Sequence, residues 1–262
     1  MAGNTGENII KTHAENKMGT APIGKLLASM AWPAVLSMTI VALYNIVDSI
    51  FVAMISQKAL TAVSLILPIQ ILMISVAVGS AVGVNSLIAR RLGARRFDEA
   101  NKAASTSIRI GIFNFAIFAL MGLFFAKPFL TLYTSDPVIF SYGSSYLKIV
   151  TIFCIFIMVE IQMEKVLQAT GNMVAPMIIS MSGAVTNIIL DPILIFGMFG
   201  FPRMEVQGAA IATVTGQFVS LIVAAYIVST GEKAVDIQLK GFKLDWNIVK
   251  DIYAVGFPGM VM

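Results

Sequence analysis

Charged residues are scarce in this chain. Only 12% of its 262 residues are Asp, Glu, Lys or Arg and 58% are hydrophobic, whereas soluble domains carry about 25% charged residues. This composition argues against an ordinary soluble protein, because the apolar residues also fall in blocks of about 20 or more, long enough to cross a hydrocarbon core roughly 30 Å thick. The net charge of +4 does not predict nucleic-acid binding, since the basic residues lie at helix ends and in short loops.

Residues for redox, metal or nucleotide chemistry are equally scarce. The single cysteine, Cys154, lies in an apolar run and cannot form an internal disulfide. The single histidine, His13, has no second ligand nearby, so no metal site is predicted. No Walker motif or Gly-rich phosphate loop is present, so ATP is not the expected energy source. We expect no enzymatic activity and no cofactor other than a coupling ion.

Six apolar runs are predicted to span the membrane. They cover residues 27–55, 60–89, 104–133, 139–168, 173–199 and 206–229. A seventh run begins near Asp251 and reaches Met262 after about 12 residues, too few to cross, so we interpret the sequence as a fragment. The predicted organisation is a cytoplasmic tail at 1–22, a six-helix bundle at 23–230, a cytoplasmic linker at 231–249 and a truncated seventh helix at 250–262. The expected fold class is therefore an all-α integral membrane protein.

The distribution of Lys and Arg predicts the orientation. With the N-terminus in the cytoplasm, 14 of the 18 Lys and Arg residues lie on the inner side, as the positive-inside rule requires. The segments Lys25–Pro33 and Lys250–Pro258 share Lys, an aromatic residue and Pro at the same offsets. After six spans, this repetition suggests that a second six-helix repeat of the same orientation begins there.

Two carboxylates lie deep in predicted spans, Asp48 in the first and Asp191 in the fifth. A carboxylate in hydrocarbon costs at least ~2.5–3.5 kcal/mol, so each requires a reason. Both spans run outward at ~1.5 Å per residue, which predicts that both side chains lie in the outer half of the membrane. On neighbouring helices they would resist double ionisation and hold a proton or, with further oxygens, a sodium ion. Asn45 and Asn187 are predicted to face the same side as their aspartates, and Tyr146 offers a hydroxyl at similar depth.

Other interpretations of these residues stay open. The two Asn–Asp pairs could instead be hydrogen-bonding contacts between helices, although their matching depth favours an ion site. Glu160 lies in the inner half of the membrane, where local pairing is the favoured interpretation, and Glu164 can reach water or Lys165. Pro33 is either an ordinary helix-start proline or a bend point of the first helix.

An ordered set of short motifs runs through the chain from about residue 22. They are Pro33, Asn45-x-x-Asp48, Gly79-x-x-x-Gly83 followed by Arg90-x-Leu-Gly-Ala and Glu99-Ala, Gln168-Ala-Thr-Gly-Asn172, Asn187-x-x-x-Asp191-Pro, and Gly208-Ala-Ala-Ile-Ala-Thr213. Each motif is short, but the set in this order resembles the multidrug and toxic compound extrusion (MATE) family. The pattern is closer to the branch named after the DNA-damage-inducible exporters than to branches with a carboxylate site in the C-terminal lobe.

The resemblance implies two six-helix lobes facing a central cavity, with export of organic cations driven by entry of protons or sodium ions. It implies an N-lobe ion site at Asp48, Asn187 and Asp191, with Tyr146 and Thr213 nearby. The second lobe is absent from this chain apart from its opening segment. The expected partners are therefore the lipid bilayer, cationic or amphipathic small molecules and the missing lobe, with no nucleic acid. The expected location is the cell membrane.

Three functional hypotheses follow. The leading one is a drug or cation antiporter, in which protonation of the Asp48–Asp191 site collapses the N-lobe cavity and Pro33 is the bend point of the first helix. The second is a related flippase for lipid-linked saccharides, whose anionic headgroup calls for a cationic cavity. Against this, the outer half of the predicted spans carries the carboxylates of Asp48 and Asp191, whereas Lys148 lies near the surface. The third is a non-transporting membrane fragment that needs a second half.

Overall fold

The computed structural model describes residues 22–230, 235–237 and 246–261, and contains no strand within them. The helices are α1 (Ile23–Ile55), α2 (Gln57–Gly93), α3 (Phe97–Tyr133), α4 (Pro137–Ile152), α5 (Ile155–Ala169), α6 (Val174–Phe196), α7 (Val206–Thr230) and α8 (Trp246–Val261), with a 3₁₀ turn at Met198–Gly200. The predicted tail as far as residue 21, and most of the predicted linker at 231–249, lie outside the described residues.

The predicted membrane spans are confirmed. Helices α1, α2, α3, α6 and α7 are each long and apolar enough to cross a membrane, and the bent pair α4 and α5, counted as one span, makes a sixth. Many large apolar side chains point away from the bundle; Trp32 and Phe124, for example, are each 70% exposed. Such side chains are stable against lipid rather than water. The chain is thus an all-α integral membrane protein with a six-span bundle.

The fourth span differs from the continuous helix predicted at 139–168. It consists of α4 and α5, which are bent by 47° at the break between them. No proline or glycine marks this break. Instead, the Thr151 hydroxyl bonds back to the carbonyl oxygens of Leu147 at 2.6 Å and Lys148 at 3.3 Å, and such back-bonding often bends helices. A hydropathy pattern carries no sign of this kind of bend.

The bundle is built around α2, which packs against α3, α4, α5 and α8, while α6 packs against α1 and α7. One buried cluster includes residues from every helix from α1 to α7, for example Val52, Ile66, Leu147 and Ile195. Helix α1 is attached mainly through α6, and only Pro33 and Val52 of its residues are buried. Because α1 and α6 carry the two intramembrane aspartates, this contact determines how the two carboxylates meet.

Helix α8 docks on α2 through glycines. A Cβ on Gly83 would lie 2.0 Å from the carbonyl oxygen of Ile252, and one on Gly256 would lie 2.4 Å from the carbonyl oxygen of Gly79. Small residues allow this close backbone approach between membrane helices. Helix α8 begins at Trp246, four residues before the predicted start of the seventh helix.

Candidate ion-binding site

The carboxyl groups of Asp48 on α1 and Asp191 on α6 meet inside the bundle, within hydrogen-bonding reach of each other. Asp191 is fully buried, and Oδ1 of Asp48 is buried without a hydrogen-bond partner in the described part of the chain. Within the described ranges, neither carboxylate pairs with a Lys or Arg. Two adjacent ionised carboxylates repel strongly in a low-dielectric interior, so a shared proton or a bound cation would stabilise the pair.

Asn187 joins Asp191 to α7. Its side chain is 2% exposed and lies one helical turn before Asp191. In one amide orientation Nδ2 donates to Asp191 Oδ2 at 3.2 Å and Oδ1 accepts from the backbone N–H of Thr213 at 3.2 Å. The opposite orientation leaves contacts of 3.4 Å to Asp191 Oδ1 and 3.5 Å to Thr213 Oγ1. The first orientation is the favourable one, because it gives each amide atom a complementary partner at a shorter distance.

Two glycines bring α6 and α7 close enough for these contacts. A Cβ on Gly216 would lie 2.8 Å from the carbonyl oxygen of Gly183, and a Cβ on Gly183 would lie 2.2 Å from Ser220 Oγ. Larger residues at either position would push the helices apart. Since Thr213 lies three residues before Gly216 on α7, this close approach brings Thr213 to Asn187.

Tyr146 on α4 contributes its hydroxyl to the site. Its side chain is 2% exposed, and its hydroxyl accepts from Gln70 Nε2 on α2 at 3.4 Å. The same hydroxyl lies within hydrogen-bonding reach of Thr213 and close to Asp48. The Thr213 hydroxyl donates to the carbonyl oxygen of Ala209 at 3.0 Å, so its oxygen remains able to accept. The structure therefore brings together five of the predicted site residues, from four helices.

The structure places Asn45 elsewhere. Its side chain is exposed, and its Nδ2 donates to the carbonyl oxygen of Val41 at 2.8 Å. Among the described residues, no hydrogen bond joins it to Asp48 or Asp191. Pro33 is buried within α1, which continues through it as one helix from Ile23 to Ile55.

Three polar residues around the site were missed by the sequence reasoning. Tyr44 lies one turn before Asp48 and interacts with both aspartates, Gln70 bonds to Tyr146, and Gln217 has a buried Oε1 without a partner in the described part of the chain. Each is a polar residue in an apolar span. Tyr44 and Gln217 also lie four residues from a predicted site residue, which is a usable signal because such residues share a helix face.

A second pair of carboxylates lies on α5. Glu160 is 8% exposed and lies within hydrogen-bonding reach of Ser220 on α7. Glu164 Oε1 accepts from Ser180 Oγ on α6 at 2.7 Å. Lys165 Nζ donates to the side chain of the glutamine three residues further on, at 2.8 Å. The local partners of these glutamates are thus serine hydroxyls, and within the described ranges neither glutamate forms an ion pair.

The donor set limits which cation could bind. The described residues contain no group of three or more His, Cys, Asp or Glu side chains that could hold a metal ion. A sodium ion at Asp48, Asn187 and Asp191 would have two carboxylates available. Asn187 Oδ1 accepts from the Thr213 backbone N–H, and as an amide oxygen it keeps a second lone pair as a possible third ligand. A hard cation takes several oxygen ligands.

Comparison with known proteins agrees with this architecture. A model of the MatE family matches residues 33–193. The FAD transporter of Shewanella oneidensis is 30% identical over 79% of this chain and 46% of its own length. The multidrug export protein MepA of Staphylococcus haemolyticus is 26% identical over 92% of this chain and 52% of its own length.

A solved structure is also similar. A MOP superfamily transporter from Pyrococcus furiosus has a TM-score of 0.87 and 27% identity, and the match covers 96% of this chain and 55% of that one. The chain therefore spans about half the length of the relatives that it matches.

Proposed function

The chain belongs to the MatE family, whose members are transporters rather than enzymes, and from this premise we propose that it forms the N-terminal lobe of a secondary-active exporter. The whole protein would export organic cations or amphipathic drugs in exchange for H⁺ or Na⁺. The observation that carries this proposal is the buried Asp48–Asp191 pair. It lies in an apolar bundle, and within the described ranges it has no Lys or Arg partner. Such a pair is costly unless it binds something.

The mechanism is competition for one site. With the pair deprotonated, its negative charge attracts a cationic substrate to the lobe. An ion entering from outside neutralises the pair, removes this attraction and allows α1 to approach α6 more closely. Pro33 would be the bend point, because a proline inside a helix removes a backbone hydrogen bond and clashes with the preceding turn. Since ion and substrate cannot both be held, the two fluxes are coupled.

The orientation follows from charge. The last turn of α2 carries Arg90 and Arg91, and the loop that follows it carries Arg95 and Arg96. We therefore place this end of α2, and with it the N-terminus, on the cytoplasmic side of the cell membrane. The Asp48–Asp191 pair then lies in the outer half of the membrane, where an ion entering from outside reaches it first.

Two classes of substrate are candidates. The relative from Shewanella oneidensis is an FAD transporter, which makes a large anion the second candidate. The carboxylates at the site favour cationic or neutral compounds over FAD or an anionic lipid-linked saccharide. If the chain has a non-transporting role, no substrate flux would be measured even when the second six-helix lobe is supplied.

The test is efflux of ethidium from cells that express the full-length protein, with the proton and sodium gradients collapsed separately. Asp48→Asn and Asp191→Asn are expected to abolish efflux at normal expression. Asp98→Asn is the matched control, since it removes the same charge from an exposed position at the start of α3. Coupled efflux in both site variants would refute the proposal. FAD supplied in place of ethidium tests the second candidate.

A further inference from the structure

The connection between α6 and α7, residues 197–205, lies at the outer end of the bundle, and we call it the outer hairpin. Its last residue folds back on α6, because the backbone N–H of Glu205 donates to the carbonyl oxygen of Ile195 at 3.2 Å. Gly197 has a φ of +77°, and a Cβ there would lie 2.8 Å from the backbone nitrogen of Arg203. The outer hairpin is therefore a tightly closed turn with a defined shape.

Helix α4 holds the base of the outer hairpin. The Tyr142 hydroxyl donates to the Glu205 carboxylate, and Arg203 Nε forms an ion pair with the same carboxylate at 3.3 Å. One turn further along α4, Ser145 Oγ accepts from Gln207 Nε2 at 3.4 Å. Glu205 has a φ of 52°, and these contacts account for its left-handed backbone. The polar groups at the base thus serve to hold the hairpin in place.

The tip of the outer hairpin is apolar and exposed. Met198, Phe199 and Phe201 are 46%, 84% and 53% exposed, respectively. Phe199 has a φ of 56° and a ψ of 28°, in the left-handed region that a bulky side chain rarely adopts. Because its ring stays exposed, packing within the described bundle does not compensate for this strain. A strained residue that the fold does not require points to a role outside the fold.

The outer hairpin lies at the level of the lipid headgroups. Helix α6 has 23 residues, from Val174 to Phe196, and is about 35 Å long at ~1.5 Å per residue. This length already crosses a hydrocarbon core of ~30 Å, so the hairpin that follows lies at or just beyond the outer edge of the core. Phe side chains at this level insert between headgroups and acyl chains. The exposed guanidinium of Arg203 suits the headgroup phosphates.

The missing second lobe is the other candidate for covering the tip. Its described part, α8, docks on α2 at Gly79 and Gly83. Gly79 lies 22 residues after Gln57, the outer start of α2, which is ~33 Å along the helix axis. The contact that the structure shows with the second lobe is therefore far in depth from the outer hairpin. Exposed Phe rings beside an Arg side chain are also typical of a lipid interface.

We propose that the outer hairpin is a membrane-interface anchor, and that its partner is phospholipid of the outer leaflet. Phe199 and Phe201 insert at the boundary between headgroups and acyl chains, and Arg203 pairs with a phosphate. The anchor holds the outer ends of α6 and α7 at a fixed depth. Since Asp191 lies six residues before Gly197 on α6, the anchor also sets the depth of the ion-binding site. It is independent of which ion or compound the whole protein moves.

The test measures the depth of the tip with nitroxide spin labels in the full-length protein, reconstituted into vesicles of phosphatidylcholine and phosphatidylglycerol. Single labels are attached to Phe199→Cys or Phe201→Cys on a background without other reactive cysteines; Cys154 is buried. Ser135→Cys is the matched control, because Ser135 is exposed in the loop between α3 and α4 at the same end of the bundle.

Oxygen concentrates in the bilayer, whereas a nickel chelate stays in water. Labels at 199 and 201 should collide more often with oxygen than with the chelate, and the order should be reversed at 135. More frequent collisions with the chelate at both tip positions would place the tip in water and overturn the anchor. Rare collisions with both reagents would mean that the second lobe covers the tip, which would equally overturn it.

Phe199→Asn gives a second readout, because Asn tolerates the left-handed region and the variant removes the ring. The anchor predicts that this variant unfolds in detergent at the same temperature as the wild type or at a higher one. A fall of several degrees would show that the ring packs against protein rather than lipid, and would contradict the anchor.

Discussion

Replacing Gly83 with alanine should loosen α8 from α2. The new Cβ would lie 2.0 Å from the carbonyl oxygen of Ile252, 2.9 Å from its carbonyl carbon and 3.2 Å from the backbone nitrogen of Gly256. All three atoms are backbone atoms, so no side-chain rotation relieves the clash. Because ordinary carbon contacts lie near ~3.5–4.0 Å, α8 has to withdraw by more than an ångström.

The cost can be estimated from two opposing effects. Overpacking of a close contact typically destabilises by ~1–3 kcal/mol, whereas Gly→Ala within a helix stabilises by ~0.5–1 kcal/mol. We therefore expect a net loss of ~1–2 kcal/mol from the free energy of unfolding, measured by thermal denaturation of the purified full-length protein in detergent. The loss should be larger in the Gly79→Ala, Gly83→Ala double variant, since a Cβ on Gly79 would also lie 2.8 Å from the backbone nitrogen of Met260.

Gly93→Ala is the matched control. Gly93 is the last residue of the same helix, and a Cβ there would have nothing within 4 Å. This variant should be as stable as the wild type or slightly more so. Equal stability of Gly83→Ala and Gly93→Ala would refute the docking of α8 on α2 as described.

Further predictions concern the site, the first helix and the ion pair at the start of α4. Asn187→Ala should lower the free energy of unfolding by ~1–3 kcal/mol, because it leaves buried partners unsatisfied. Asn45→Ala, at an exposed position, should change the free energy of unfolding little. Equal losses of stability in the two denaturation curves would contradict the assigned positions. Pro33→Ala should raise thermal stability by up to ~3 kcal/mol, since a helix-interior proline costs about that much. It should also slow efflux while leaving ethidium binding unchanged. Unchanged efflux would exclude a role for Pro33 as the bend point of α1. The hydrogen bond from Lys58 holds the pKa of Asp136, which caps α4, below its usual range. This ion pair therefore stabilises the fold fully at pH values above the ordinary aspartate pKa of ~3.9. The stabilisation is lost as the pH falls through the lowered pKa. Lys58→Met should accordingly shift acid unfolding to higher pH, and an unshifted acid transition would mean that the ion pair contributes nothing.

The sequence predicts the spans and the aspartate pair well because both depend on simple regularities. Hydropathy defines the spans, and the helical rise places Asp48 and Asp191 at matching depth. The spacing of Asn187, four residues before Asp191, places both near one face, since four residues turn a helix by about 400°. The same arithmetic explains Asn45. At three residues before Asp48 it is rotated by about 60° away from it, whereas Tyr44, four residues before, is rotated by about 40°.

What the sequence does not predict depends on contacts between distant residues. The bend between α4 and α5 lies next to Thr151, whose hydroxyl bonds back to the preceding turn, and hydropathy gives no signal for such a bend. The serine partners of Glu160 and Glu164 come from α6 and α7, and only the packing of three helices reveals them. Local pairing is the favoured interpretation of Glu160, and the Ser220 hydroxyl on α7 lies within hydrogen-bonding reach of it.

The most direct test of the Asp48–Asp191 site is the number of ions displaced when substrate binds. In a weakly buffered solution of the purified full-length protein, ethidium binding should release about one proton per bound molecule near the pH at which the pair titrates, as linkage between competing ligands requires. If sodium is the coupling ion, ethidium binding should release a bound sodium ion instead. Asp191→Asn should bind ethidium without releasing either ion. If Asp191→Asn released as many protons or sodium ions as the wild type, this result would contradict the claim that ion and substrate compete at this pair.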